Sequence, residues 1–342
     1  MTAGSATRHD RWAEQQRIYR RRRVLALVVG VVLLALLVRG CSALVGGGGG
    51  EEASEAAAPP ELPRGGRLVL PRHRIVAYYG APQDPELGVL GETPPEEAAR
   101  TLARRAGEYH RAPGAGPARP VLPALELIST LAQSAPGDDG LHRLRQEDAT
   151  IRRHLRAARA IKGLLVLDVQ PGQADFVEEV RALEPYLSQP DVGLALDPEW
   201  SVPDGTQPGS VIGSMDAEVV NEVSAYLARL VRLRDLPQKL LIVHQFTDEM
   251  ITNRALLASR PEVALVLNMD GFGTAEQKQG VYDRLSQPTP RGPDRLGQES
   301  LARERLGGPY NGFKLFFRED TGLMSPRDVL GLRPAPDVVV YE

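Results

Sequence analysis

The sequence predicts an α/β fold, a (β/α)8 barrel, on three observations. Eight short apolar runs are spaced along residues 70–342, and amphipathic stretches with helical spacing lie between them. Strands alternating with helices imply right-handed crossovers and a parallel sheet. Eight such units in about 270 residues match the usual size of this barrel. The alternative is an open doubly wound sheet, but "YYGAPQDPELG" after the first run lacks the glycine-rich dinucleotide fingerprint.

In chain order, residues 1–23 form a basic tail ending in Arg20–Arg23, directly before the uncharged run Val24–Val38. Basic before apolar means cytoplasm before membrane. The run is shorter than the roughly 20 residues that span a bilayer, and Ala43–Val45 extend it past Arg39. Residues 24–45 are therefore a transmembrane anchor or a signal segment, which puts the remainder of the chain on the extracytoplasmic face of the cell membrane. Cys41, the only cysteine, closes "LVRGC", which resembles a bacterial lipoprotein lipobox with its small residue at Gly40; Arg39 departs from that pattern. Cys41 is thus the lipidation candidate, and acylation, an uncleaved anchor and plain cleavage stay open. One cysteine permits no intrachain disulfide. Residues 46–69, beginning "GGGGGEEASEAAAPP", hold almost no large apolar residues and read as a flexible linker.

The barrel is placed at 70–342. Its strand runs are "RIVAYYG" (74–80), "PVLPALELI" (120–128), "GLLVLDVQ" (163–170), "VGLALDPEW" (192–200), "KLLIVHQF" (239–246), "VALVLNMDG" (263–271), "GFKLFF" (312–317) and "DVVVYE" (337–342). Helical spacing marks "PEEAARTLARRAGEYH", "QEDATIRRHLRAARAI", "ADFVEEVRALEPYL" and "DAEVVNEVSAYLARLVRL". With 42% hydrophobic and 25% charged residues, the chain can bury a large core. A net charge of −3 and a pI near 6.1 give no reason to expect nucleic acid, which usually demands a basic face.

Active sites of such barrels sit at the carboxyl ends of the strands. Residues two apart on a strand share a face. That alternation groups Glu126, Asp168, Asp197, His244, Asn268 and Lys314 as one polar layer near the top of the barrel. Above it come Gln170, Glu199, Phe246, Asp270 and Phe316. The lower layer serves equally as structural support, because converging strand ends need satisfied polar groups. Aromatic residues are only 5% of the chain, yet Tyr78, Tyr79, Trp200, Phe272, Phe317 and Tyr341 also fall at strand ends. Rings beside carboxylates suit a sugar cleft, with Tyr78 and Trp200 as ligand-binding candidates.

Other chemistries lack their residues. Metal-dependent hydrolases of the amidohydrolase kind need two histidines at the end of the first strand, and "RIVAYYG" has none. No metal or cofactor is therefore expected; a hard cation held by Asp168, Asp197, Glu199 and Asp270 is the alternative. No G-x-S-x-G elbow occurs. "DGFGTAEQK" (270–278) offers backbone N–H groups to an anion, with Thr274 as a helix cap.

The eight-run layout with "RIVAYYG", "LLVLDVQPG", "LALDPEW" and "LNMDGFG" resembles extracytoplasmic barrel proteins of actinobacterial type, similar in plan to glycoside hydrolases. Family 18 chitinases are the nearest mechanistic family, with D-x-x-D-x-D-x-E closing the fourth strand. Asp197 and Glu199 match its last D-x-E, while Val192 and Ala195 replace the earlier aspartates. The resemblance implies Glu199 as general acid, with Asp270 or Glu126 as the second carboxyl. Asp197 is expected to stay ionised, paired with Lys314 or hydrogen-bonded. The expected function is a membrane-tethered hydrolase acting on a cell-envelope glycan; the alternative is a silent barrel that binds glycan or an envelope protein.

Overall fold

The computed structural model describes residues 58–112, 119–286 and 308–342. Eight parallel strands run through them: β1 (Arg74–Gly80), β2 (Val121–Ala132), β3 (Leu164–Val169), β4 (Val192–Leu196), β5 (Lys239–Gln245), β6 (Val263–Met269), β7 (Tyr310–Leu315) and β8 (Val338–Tyr341). Each pairs with the next in sequence and β8 pairs back to β1, so the sheet closes. The strands are buried along nearly their whole length because a closed parallel barrel covers both faces.

The described helices are α1 (Val89–Glu92), α2 (Pro95–Arg111), α3 (Asp148–Ala160), α4 (Phe176–Ala182), α5 (Glu184–Leu187), α6 (Ala217–Arg234), α7 (Ala275–Leu285) and α8 (Pro326–Gly331). The stretch "ADFVEEVRALEPYL" divides into α4 and α5, with Pro185 in the first turn of the second, where its missing N–H does no harm. Between β5 and β6 two 3-10 turns, Asp248–Met250 and Arg254–Leu256, stand where a helix is usual. Thr274 does cap α7, in a reciprocal pair with Gln277.

Two apolar layers hold the structure together. Inside the barrel lie Ile75, Ala77, Leu122, Ala124, Val166, Ala195, Ile242, Val266, Val338 and Val340. Between strands and helices lie Leu125, Leu167, Leu194, Val243 and Leu267 with Leu102, Leu155, Val180 and Leu227. Strand alternation therefore sorts the two faces as expected.

The folded unit begins at Pro59, inside the stretch expected to be linker. Leu62, Val69 and Leu70 join the inner layer. Gln238 Oε1 accepts the backbone N–H of Val69 at 3.0 Å and of Leu70 at 3.1 Å, and Arg64 donates to the Val121 carbonyl at 2.8 Å. These contacts close the end of the barrel where the strands start. The basic tail, the apolar run and Cys41 lie outside the described residues. Among the described residues, no helix is long and apolar enough to cross a membrane.

Register decides what meets at the other end. Tyr79 is level with Glu126, and Glu126 with Val166, so Asp168 stands one inward step higher. Asp168 is level with Ala195, which again puts Asp197 one step above. The expected polar layer is thus a staircase, as the tilt and stagger of barrel strands require. Gly312 is level with Asn268; a Cβ there would stand 2.4 Å from Asn268 Oδ1, so glycine makes room for that amide.

Candidate active site

β2 supplies Glu126 and then bulges between Ile128 and Thr130. Beyond the bulge it rises past its neighbours and pairs antiparallel with Arg143–Arg145. Those two arginines grip the buried Glu179 of α4, at 2.7 Å each. A bulge beside a site re-aims side chains, and here Ser129 Oγ donates to the Asp168 carbonyl at 2.8 Å, which ties β2 to β3 at that height.

His244, from β5, is the centre of the cluster. Its Nε2 is 3.0 Å from Glu126 Oε1 and 3.9 Å from Asp168 Oδ1; its Nδ1 is 3.1 Å from Asp270 Oδ2. The side-chain amide of Asn268 lies 3.3 Å from the same Nδ1. Burial opposes a charge on this ring, but Asp270 and Glu126 outweigh it and raise the pKa of His244.

Lys314, from β7, is the second cation. Its Nζ lies 2.6 Å from Glu342 Oε2, 3.3 Å from Asp270 Oδ1 and 3.8 Å from the centre of the Tyr79 ring. Burial alone would lower its pKa, yet Asp270 and Glu342 hold it above the usual lysine value. Asp270 sits between Lys314 and His244, and although burial works against ionisation these two cations pull it down to about 2.

Asp168 and Asp197 have the opposite fate. Tyr79 donates to Asp168 Oδ2 at 3.2 Å and lies 3.5 Å from Asp197 Oδ2. Gln170 Nε2 in turn donates to the Tyr79 hydroxyl at 3.0 Å. Burial, with Glu126 beside it, pushes Asp168 up to about 7. Asp197 is raised well above the carboxylate range by burial and by Glu199. Of the two arrangements expected for Asp197, the hydrogen-bonded one is present, through Tyr79, while no ion pair joins it to Lys314 among the described residues because Asp270 and Glu342 take the ammonium. Of the three aspartates, Asp270 is the one whose pKa is lowered.

Glu199 and Trp200 belong to a 3-10 turn, Pro198–Trp200, that follows β4 directly. Pro198 opens this turn and has no N–H to donate to a neighbouring strand. The turn is held by the Gly213 N–H, which donates to the Glu199 carbonyl at 2.7 Å. Glu199 is partly buried, and burial together with the charge of Asp270 pushes it up to about 7. The Trp200 ring lies against its own loop, 3.5 Å from where a Gly209 Cβ would stand, and its Nε1 is enclosed.

The chain matches no protein-family model, no curated protein and no solved structure.

The structure brings together Glu126, Asp168, Asp197, His244, Asn268, Asp270 and Lys314, with Gln170 behind Tyr79 and Glu199 at the edge. Tyr78 lies elsewhere. Its ring packs outside the barrel, edge-on to Phe317 and Tyr341. Tyr79 and Glu342 are the members that sequence reading leaves out. Alternation along "DVVVYE" does point to Glu342, which shares a face with Val338 and Val340. At the rim Phe272 is 66% exposed and meets Phe316 edge-on. The backbone donor considered for an anion is already engaged: the Gly273 N–H donates to Asp320 Oδ1 at 3.1 Å.

Proposed function

We propose that the barrel mouth hydrolyses a glycosidic bond in a cell-envelope glycan. Glu199 gives a proton to the departing oxygen, water adds to the anomeric carbon in its place and returns a proton to the glutamate, and Asp270, fixed between Lys314 and His244, faces the positive charge that develops on the sugar. The observation that carries this reading is the partly buried Glu199 carboxyl, pushed up to about 7 by burial and by Asp270, together with that second carboxylate, which is held between Lys314 and His244. Glycoside hydrolysis needs two carboxyl groups in different protonation states. The exposed Phe272 supports it too, as a flat apolar surface beside acids suits a sugar ring.

Purified cell wall incubated with the wild type between pH 4 and 9 is expected to release reducing ends. Glu199→Gln keeps the shape and should lower turnover by about 10²–10⁴-fold, the usual contribution of a general acid, while glycan binding stays within about twofold. If the wild type and Glu199→Gln bind the same wall material equally and neither releases reducing ends, the hydrolase reading fails and a glycan-binding barrel takes its place.

The same reading puts the barrel outside the cytoplasmic membrane, held by residues 24–45 with or without an acyl chain on Cys41. Arg20–Arg23 ahead of Val24–Val38 support that orientation. A reporter fused after Glu342 is expected to work only when it functions outside the cytoplasm. Activity of a strictly cytoplasmic reporter at that position would refute the topology.

A further inference from the structure

We propose that Glu126, Asp168 and His244 form a binding site for one divalent transition-metal ion in the barrel interior, beneath the mouth. The site shares the His244 ring with the hydrolytic reading through its other nitrogen, where a metal ion on Nε2 takes the place of a proton, and the claim does not depend on hydrolysis. Each residue offers one donor atom, and the three atoms lie within 4.8 Å of one another. His244 Nε2 stands 3.0 Å from Glu126 Oε1 and 3.9 Å from Asp168 Oδ1. Two donors that share one metal ion at 2.0–2.2 Å lie roughly 3–3.5 Å apart, so the His244–Glu126 spacing already fits and Asp168 has to move inward.

The second observation is a set of bare oxygens. Glu126, Asp168 and His244 are fully buried, and neither Glu126 Oε2 nor Asp168 Oδ1 has a hydrogen-bond partner among the described residues. Asp168 Oδ1 is the very atom that faces the imidazole. A proton on His244 Nε2 accounts for Glu126 Oε1 alone. Two buried carboxylate oxygens without partners are costly, and a cation between them removes the cost.

Each donor is also oriented from behind. Asp270 Oδ2 accepts from the far nitrogen of His244 at 3.1 Å, which fixes the tautomer that leaves Nε2 as a ligand. The Tyr79 hydroxyl, itself receiving a hydrogen bond from Gln170, holds Asp168 Oδ2 and turns Oδ1 inward. Carboxylate and hydroxyl partners of this kind stand behind the ligands of most protein metal sites. One imidazole with two carboxylates favours Zn2+ or Mn2+; Ca2+ and Mg2+ prefer all-oxygen shells. A search of the sequence for two histidines on one strand passes over a site whose donors come from β2, β3 and β5.

The test uses the full-length chain in detergent, without a histidine tag, stripped with a chelator and then dialysed against Zn2+ or Mn2+. The wild type is expected to retain about one equivalent of one of these metals, to melt at a higher temperature when loaded, and to show visible ligand-field bands with Co2+. Asp168→Asn and Glu126→Gln preserve shape and should each weaken metal binding at least tenfold. Circular dichroism confirms that they fold. Glu199→Gln should bind metal like the wild type, which separates this claim from the hydrolytic one. A folded wild type that retains neither metal and gives no Co2+ bands overturns the proposal, as does undiminished binding by folded Asp168→Asn and Glu126→Gln.

Discussion

Lys314→Met is expected to destabilise the protein by about 3–5 kcal/mol, the usual cost of removing one partner from a buried ion pair. Methionine fills the same space along the stem, so the loss is one of charge rather than packing. The ammonium is buried and touches Asp270 and Glu342, with the Tyr79 ring beneath it. Glu342 is 21% exposed at its side chain and can turn to water; Asp270 cannot, and keeps only His244. Asp270→Asn should therefore destabilise as well, and the double variant should lose about 1–3 kcal/mol less than the two single losses added together. Urea denaturation at pH 7 measures all three. A Lys314→Met protein within about 0.5 kcal/mol of the wild type would show that the pair carries no stability, because surface changes fall in that range.

The barrel was legible because its strands are nearly continuous apolar runs, the pattern a parallel sheet buried on both faces must have. Strand alternation then named the inward polar residues of β2, β3, β5, β6 and β7 correctly, since each strand carries a polar residue that marks its phase. It failed on β1. "RIVAYYG" offers two adjacent tyrosines and no polar marker near them, so the choice between Tyr78 and Tyr79 depends on the register with β2, which pairs Tyr79 with Glu126. Height along the barrel was not legible either. Alternation gives direction but not stagger, and the expected level layer became a staircase with Asp197 two steps above Glu126. Lys314 meets Asp270 and Glu342 because they follow the two strands that flank β7, whereas Asp197 follows β4. Composition low in apolar residues also hid Leu62, which joins the inner apolar layer.

The two mouth carboxyls differ in how they are held. Asp270 is gripped by side chains from two strands, each of which is rigid within the sheet. Glu199 sits on a turn that Pro198 starts and the Gly213 N–H secures. An acid that must approach a substrate is better placed on the turn than in the sheet, whereas a charge that must not move belongs on the strands.

Glu199→Gln is expected to become more stable relative to the wild type as pH rises. The folded-state pKa of Glu199 is about 7, against 4.5 ordinarily, so the folded protein holds this proton more tightly than the unfolded chain does. The stability the proton contributes is complete below about pH 4.5 and is lost as pH climbs through about 7. Glutamine cannot ionise and loses nothing over that range. At about 1.4 kcal/mol for each tenfold change in proton affinity, the difference between the two proteins should grow by on the order of 3 kcal/mol between pH 4.5 and 8. Asp197 is raised by the same burial and by Glu199 itself, so the pair releases its protons in linked steps and the change spreads over a wider range than a lone acid gives. Wild-type turnover of cell wall should fall over the same alkaline limb, because the deprotonated acid has nothing to donate. Denaturation curves of both proteins at pH 5 and pH 8 decide the matter. A stability difference that stays constant between those values would mean that Glu199 ionises as freely in the folded protein as in the unfolded chain, and a general acid working at neutral pH would then have no physical basis.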